Sequence, residues 1–405
     1  MITQQTRRKV LSTMGFVAFA GCTTGQTQND STPTDTKTST AGSPDVPNNI
    51  NSDWPMPRHD PSLSGGVSSL PGPTGSVAEL WRIQTEKDLS TPIVTNNRLY
   101  VTGRDGSVFC FDARTSDKYW QISTESAAYS PFFVAEQIFV PTRKRIISLS
   151  PDDGTEIWSK ETPNRRDLYD SENVINKPTV VAAPHGIYFI GGESEPTVVC
   201  LAIEDGLRKW TQTIGNPWER YLFASDDRVF VATGHNGQIP WSIKTQTGKL
   251  INGPEESGAD FEDERYYKEG VIYSVDEMFG QLVSNPISED KDGWTKSVPA
   301  GVYALGGNSE HVYMTVAESE TPGVYAISTT DGTVEWVNEM EQGPRSPPIV
   351  TEQSIITRTG EEMRGLDTTD GKTTWKIPNL SSDGETIVAG DVVYSVDHGV
   401  VTAFR

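Results

Sequence analysis

The chain has 405 residues, with 55 acidic side chains against 34 basic ones and a formal charge of −21. Such a surface repels phosphate backbones, which argues against nucleic-acid binding. The acid-rich composition resembles that of proteins from salt-loving archaea, whose charge keeps them soluble when salt screens other repulsions.

The first element is an address. Thr6-Arg7-Arg8-Lys9 leads into the apolar run Val10–Ala20, which ends Phe19-Ala20-Gly21-Cys22. That run is too short for a membrane-spanning helix of about 20 residues and suits a cleaved leader. The arginine pair resembles a twin-arginine export signal. The last four residues resemble a lipobox, with Phe19 where leucine is usual. Residues 1–21 are expected to be the leader, and Cys22 the lipidated residue that holds an exported chain on the outer face of the cytoplasmic membrane. Residues 22–52 are rich in Thr, Ser, Asp and Pro and contain no aromatic residue before Trp54. They cannot bury a core and are expected to form a disordered stalk. Asn29-Asp30-Ser31 and, near the other end, Asn379-Leu380-Ser381 fit the short N-glycosylation pattern.

From residue 53 onward an all-β pattern takes over. Ala78–Ile83 reads as a lone strand. Thr91–Thr124 reads as four short strands separated by Asn, Asp and Gly turns. Small residues then recur in one local setting, at Cys110, Ser148, Cys200, Ser242, Ser284, Ala326, Gly365 and Ala403. Ten residues after the first seven come Trp120, Trp158, Trp210, Asn252, Trp294, Trp336 and Trp375. A period near 40 ending in a fixed tryptophan marks an all-β repeat array, most often a propeller. A glycine four residues before the tryptophan position, as in Asp153-Gly154 or Asp370-Gly371, supplies the positive φ of a tight turn.

The last repeat has only three strands, Thr386–Ala389, Val392–Val396 and Val400–Phe404. Joining them to Ala78–Ile83, with Trp81 in the tryptophan position, completes a blade and removes two open sheet edges. The reading is an eight-bladed β-propeller of four-stranded blades over residues 53–405, the last blade closed by strands from both ends of the domain. Blades 4 and 5, with Asn252 and the irregular Ser284-Asn285-Pro286, are the least regular. Trp81, Trp120, Trp158, Trp210, Trp294, Trp336 and Trp375 are expected to dock neighbouring blades. Cys110 and Cys200 occupy equivalent positions two blades apart, too far for a disulfide.

No local motif carries chemistry. His59, His185, His235, His311 and His398 are scattered, so no metal site is expected. Asp290-Lys291-Asp292-Gly293 lacks the glutamate that a calcium loop requires and reads as a turn. Gly301–Gly307 lacks a phosphate-loop lysine. No catalytic residue is assigned. Loops between blades gather on one face of a propeller, where a rigid scaffold carries binding residues. The longest, after blade 2, holds Arg165, Arg166 and Tyr169. The next holds Trp218, Arg220 and Tyr221, residue types enriched at binding hot spots. The basic cluster Arg143-Lys144-Arg145 lies between the second and third strands of blade 2 and is expected to share that face.

The repeats, from Cys110-Phe111-Asp112-Ala113 to Trp120 and from Gly365-Leu366-Asp367 to Trp375, resemble the pyrroloquinoline-quinone-type (PQQ-like) propeller repeat of the quinoprotein-like superfamily. Trp54-Pro55-Met56-Pro57-Arg58-His59-Asp60-Pro61, with Gly65, resembles the segment that often precedes such propellers. Two branches are relevant. One resembles the lipoprotein propeller of the outer-membrane barrel assembly machine, an eight-bladed scaffold without cofactor, and the lipobox, blade number and size favour it. The other contains quinoprotein dehydrogenases that use PQQ with calcium, often with adjacent cysteines that this chain lacks. The resemblance implies a monomeric, membrane-tethered binding module for a protein, peptide or polymer. The alternative is a PQQ-dependent dehydrogenase, and a glycan-binding or hydrolytic site assembled across blades is a further one.

Overall fold

A computed structural model of the chain describes residues 45–66, 69–162, 180–191, 196–214, 220–233, 241–252, 265–276, 280–288, 292–381 and 384–405. Its 32 strands form eight four-stranded antiparallel sheets. Blade 1 contains β2 (Ile93–Thr95), β3 (Arg98–Thr102), β4 (Ser107–Asp112) and β5 (Lys118–Ser123). Blade 2 contains β6 (Phe132–Val134), β7 (Gln137–Pro141), β8 (Arg145–Leu149) and β9 (Glu156–Glu161). Blade 3 contains β10 (Val180–Ala183), β11 (Gly186–Gly191), β12 (Thr197–Leu201) and β13 (Arg208–Thr213). Blade 4 contains β14 (Arg220–Ala224), β15 (Arg228–Thr233), β16 (Trp241–Lys244) and β17 (Leu250–Asn252). Blade 5 contains β18 (Arg265–Lys268), β19 (Val271–Asp276), β20 (Gln281–Pro286) and β21 (Trp294–Ser297). Blade 6 contains β22 (Val302–Gly307), β23 (His311–Val316), β24 (Gly323–Ser328) and β25 (Val334–Glu339). Blade 7 contains β26 (Ile349–Val350), β27 (Ser354–Arg358), β28 (Glu362–Asp367) and β29 (Thr373–Pro378).

Blade 8 is the composite one. β30 (Glu385–Ala389), β31 (Val392–Asp397) and β32 (Val400–Phe404) are completed by β1 (Glu79–Gln84), in the order β1-β32-β31-β30. Trp81 stands opposite Ala403 and Gln84 opposite Val400. Ala78 and Arg405 extend the ladder with two backbone bonds of 2.9 Å. The first strand of each blade is innermost, and these strands approach one another around the axis. The fourth strands alternate towards solvent, as β5, β13 and β25 show.

The recurring small residue has a structural cause. It is the cross-strand partner of the tryptophan position in every blade: Cys110 with Trp120, Ser148 with Trp158, Cys200 with Trp210, Ser242 with Asn252, Ser284 with Trp294, Ala326 with Trp336, Gly365 with Trp375 and Ala403 with Trp81. A small side chain leaves the indole room to lie over its own sheet. A Cβ on Gly365 would run into the Trp375 ring.

The indoles then join neighbouring blades. Each Nε1–H donates to a carbonyl in the third-to-fourth-strand turn of the next blade. Trp120 reaches Pro151 at 3.1 Å, Trp158 reaches Ile203 at 3.0 Å and Trp210 reaches Thr245 at 2.9 Å. Trp294 reaches Thr329 at 2.8 Å, Trp336 reaches Thr368 at 3.1 Å and Trp81 reaches Ala113 at 3.1 Å. The turn glycines carry the other half of this joint. Gly154 has φ 73°, and a Cβ there would sit 2.8 Å from the Trp120 ring. The glycine therefore serves both the turn and the indole of the preceding blade. Burial of one such side chain contributes about 2–3 kcal/mol.

Trp375 is the exception. It is buried, yet its Nε1 has no hydrogen-bond partner. The next blade is the composite one, where β32 ends and β1 begins as separate pieces of chain. That blade has no third-to-fourth-strand turn, so it offers no turn carbonyl.

Candidate functional site

Two faces of the ring differ in how the chain uses them. The face carrying the turns within first-to-second and third-to-fourth strand pairs, here the turn face, is occupied at its centre by the segment from Ile50 to Gly72. Trp54 exchanges two backbone bonds with Val94 of blade 1, at 2.7 and 3.0 Å. Phe133 of blade 2 donates to Pro55, Ala224 of blade 4 to Pro61 and Tyr267 of blade 5 to Ser62. Gly307 of blade 6 donates to Ser64, and Val350 of blade 7 to Gly65. Met56 packs against the cluster of Phe132, Ala182 and Phe189, and Gly72 donates to Gly390 of blade 8. This lead-in segment thus touches all eight inner strands or their turns and lies across the axis at the turn face.

Its sequence is what such a path requires. Asp60 caps the bend, accepting from Ser62 N at 2.9 Å and from the Ser64 hydroxyl. Burial works against that charge, but the His59 ring and the two serine hydroxyls hold the Asp60 carboxyl below the usual range. Arg58, with φ 62°, donates to the carbonyls of Leu63, at 2.9 Å, and Leu305. Gly66 has φ 145°, and a Cβ there would collide with the Val350 carbonyl. The segment is engaged earlier than the expected boundary at residue 52. Asp45 O accepts from Arg405, Asn48 O from Arg114, and Ile50 is buried. Composition groups these residues with the stalk, yet Ile50 is buried against the propeller.

The opposite face, the loop face, carries the connections between blades and the second-to-third-strand turns. That these share a face is seen in blade 2, where Thr162 N donates to Lys144 O at 2.8 Å and Ala128 bridges to Thr142. Of the residues expected to form a binding face, Arg143 and Lys144 are exposed in the β7–β8 turn. Arg145 begins β8, donates to Thr124 O at 3.5 Å and lies 3.8 Å from the Glu156 carboxylate. Arg220 begins β14, at the loop-face end of that strand. Tyr221 is a core residue instead, buried with its ring 6.2 Å from Phe223. Alternation along β14 explains this, since it turns Tyr221 into the cluster with Phe230 and Tyr266. Arg165, Arg166, Tyr169, Trp218 and Cys22 lie outside the described residues, as do Asp290 and Lys291.

A polar cluster that sequence reading missed lies at the loop-face end of the seam between blades 7 and 8. Arg358, at the end of β27, is 1% exposed. It donates to Ser381 O at 2.8 Å, Ser395 Oγ at 2.9 Å and Thr386 Oγ1 at 3.3 Å, and it pairs with Asp397. Ser395 Oγ donates in turn to Asp397 at 2.9 Å. Glu385, at the start of β30, completes the cluster. Burial pushes its carboxyl up to about 7, against the pull of Arg358 and Thr91 and with a push from Asp397. Nothing local in the sequence marks this cluster, because its members come from two successive blades and meet only when blade 8 packs against blade 7.

The two described cysteines are inert. Cys110 and Cys200 are buried and unbonded, and burial pushes their thiols up to about 12 and about 11. Neither is a thiolate at neutral pH. Among the described residues, no group of three or more His, Cys, Asp or Glu side chains is placed to hold a metal ion.

These features define an eight-bladed propeller of the PQQ-like repeat class, with a lead-in segment across one face and the blade connections on the other. Within that class the chain belongs to the family described as outer membrane protein assembly factor BamB, whose model matches residues 62–251 and 268–405. The solved BamB of Moraxella catarrhalis superposes with a TM-score of 0.56 at 15% identity, over 81% of this chain and 97% of that one. The quinohemoprotein alcohol dehydrogenase of Comamonas testosteroni gives a TM-score of 0.62 at 12% identity, over 88% of this chain and 80% of that one. Both likenesses concern the fold. Among curated proteins, a polyvinylalcohol dehydrogenase from a Pseudomonas species is 21% identical over 355 residues, 75% of this chain and 47% of that protein. The chain therefore spans about half the length of that relative.

Proposed function

We propose that this protein is a non-catalytic binding propeller, exported and tethered through Cys22, whose loop face engages a protein, peptide or polymer partner. The observation that carries the reading is the asymmetry of the two faces. The chain's own lead-in segment covers the axis at the turn face, which leaves the loop face for a partner. On that face the exposed Arg143 and Lys144 stand out from a chain of charge −21, which supports a partner with acidic character. Arg165, Arg166 and Trp218, in the sequence between blades 2 and 3 and between blades 3 and 4, are proposed for the same set. Family membership supports a scaffold role, and export suits both the leader-like residues 1–21 and an acid-rich surface.

Pull-down from native membranes tests this with the full chain and a variant in which Arg143, Lys144, Arg165, Arg166 and Trp218 are all alanine. The reading expects partners that the wild type retains and the variant loses. An unchanged partner set would overturn the assignment of the face.

The polyvinylalcohol dehydrogenase relative supports a second reading, a PQQ-dependent oxidation. A planar quinone with several carboxylates needs cations free to receive them and oxygen ligands for calcium. Arg358 is enclosed by acceptors from its own chain, and the described carboxylates form no metal-holding group. The described residues do not fit that cofactor, so no catalytic step is derived through it.

A further inference from the structure

Of the two short N-glycosylation patterns in the sequence, one lies in the propeller. Asn379-Leu380-Ser381 belongs to the connection between β29 of blade 7 and β30 of blade 8, and neither Leu380 nor the following Ser382 is proline. The local structure presents this triplet to solvent. β29 ends at Pro378, and Asn379 turns the chain with φ 63°. Asparagine tolerates that left-handed backbone, but glycine would serve the turn as well. What asparagine adds is a carboxamide, and Asn379 is exposed.

The residues after it are held from beneath. Leu380 N donates to Glu361 O at 3.2 Å, and the Leu380 side chain packs against the cluster that contains Trp375 and Ile387. Ser381 O accepts from Arg358 Nε at 2.8 Å. The Ser381 hydroxyl stays at the exposed rim of this connection, 3.4 Å from His398 Nε2 in the β31–β32 turn. The middle residue of the triplet is thus the inward one. The asparagine and the hydroxyl two positions on, which the pattern requires, stand at the surface.

We propose that Asn379 is a site of N-linked glycosylation on the exported protein. The inference rests on the export part of the proposed function. A twin-arginine-type leader carries folded cargo, so a transferase outside meets only what the finished fold leaves on its surface, and Asn379 is there. In the transfer, the Asn379 carboxamide nitrogen attacks the anomeric carbon of a sugar carried on an isoprenoid phosphate. A C–N bond forms and the C–O bond to the phosphate breaks. The phosphate leaves with the electron pair, and one amide proton passes to a carboxylate of the transferase. The sugar stands on the loop face between blades 7 and 8, a different sector from Arg143 and Lys144 of blade 2, and leaves that proposed partner site open. A bulky, solvated chain there also covers the seam that Arg358 holds.

Peptide mass spectrometry on the full chain, purified from its native membranes, tests this. Trypsin releases Ile377–Arg405, in which Asn379 is the one asparagine. That peptide should carry a sugar increment that fragmentation places on Asn379. The increment should vanish in Asn379→Gly, which keeps the left-handed turn, and in Ser381→Ala, and should persist in Ser381→Thr. Circular dichroism of Asn379→Gly should match the wild type, so that a lost sugar is not a lost fold. A bare peptide in a chain that has shed residues 1–21 would overturn this proposal alone. A bare peptide in a chain that keeps them would overturn export as well. An increment that persists in Asn379→Gly, carried on serine or threonine, would also overturn the assignment.

Discussion

Trp158 and Trp375 form a natural pair for measuring what an indole joint contributes. Both are buried, at 8% and 5% exposure, and both lie opposite a small residue on the third strand. They differ in one bond. Trp158 Nε1 donates to Ile203 O at 3.0 Å, whereas Trp375 Nε1 has no partner. Replacing either by phenylalanine removes the same part of the ring system and a similar apolar area, at a cost of about 1–2 kcal/mol. In Trp158→Phe the hydrogen bond is also lost and the Ile203 carbonyl is stranded, which adds about 1–2 kcal/mol. In Trp375→Phe a buried, unsatisfied N–H disappears, which offsets part of the packing loss. Trp158→Phe should therefore be the more destabilising by about 2 kcal/mol. Urea unfolding followed by tryptophan fluorescence and by circular dichroism measures the difference, provided the slopes stay equal. Equal costs, or a larger cost at Trp375, would refute the view that the closing seam lacks the joint used elsewhere.

Three further outcomes follow from the geometry. Gly75 and Gly154 share a left-handed backbone, with φ 77° and 73°. A Cβ at Gly75 meets nothing within 4 Å, whereas at Gly154 it meets the Trp120 ring. Gly75→Ala should cost about 1 kcal/mol from backbone strain, and Gly154→Ala about 1–3 kcal/mol more, read as a difference in urea midpoint. Trp54→Ala should cost about 3–5 kcal/mol, because the side chain is buried in the cluster with Leu70, Val94 and Ile387; a loss below 1 kcal/mol would mean the lead-in segment is not part of the fold. The raised pKa of Glu385 gives a contribution to stability that is full below about 4.5 and lost as pH rises through about 7. Wild type should therefore lose about 1–3 kcal/mol relative to Glu385→Gln between pH 4.5 and pH 8, and parallel pH curves for the two proteins would contradict the burial of that carboxyl.

The ring was legible because its joint is local. Small residue, turn glycine and tryptophan lie within one repeat, and their spacing is set by the cross-strand register that pairs Cys110 with Trp120 and Gly365 with Trp375. The composite blade was legible for the same reason, since Ala403 lacked a following tryptophan and Trp81 lacked a preceding small residue. The lead-in segment was visible as a motif but not as a path. Its partners Val94, Ala224, Gly307 and Val350 are recruited through backbone groups, which leave no side-chain signature. Tyr221 was read as a binding-face residue because its type is enriched at hot spots and it was placed in an inter-blade loop, but the period-two alternation of β14 turns it inward. The Arg358 cluster was invisible because it joins Ser381, Ser395 and Asp397 across a seam, and the regular repeat holds no slot for such a residue.

The proposed role meets its most direct test in one comparison made on the purified full chain and on its native membranes. Titration with pyrroloquinoline quinone and calcium, followed by thermal shift and dye-linked alcohol oxidation, is set beside cross-linked pull-down with the loop-face alanine variant. A binding propeller gives no thermal shift, no oxidation and a partner that the variant fails to retain. A cofactor-dependent rise in melting temperature with alcohol turnover, or a partner set indifferent to the loop-face residues, would contradict it.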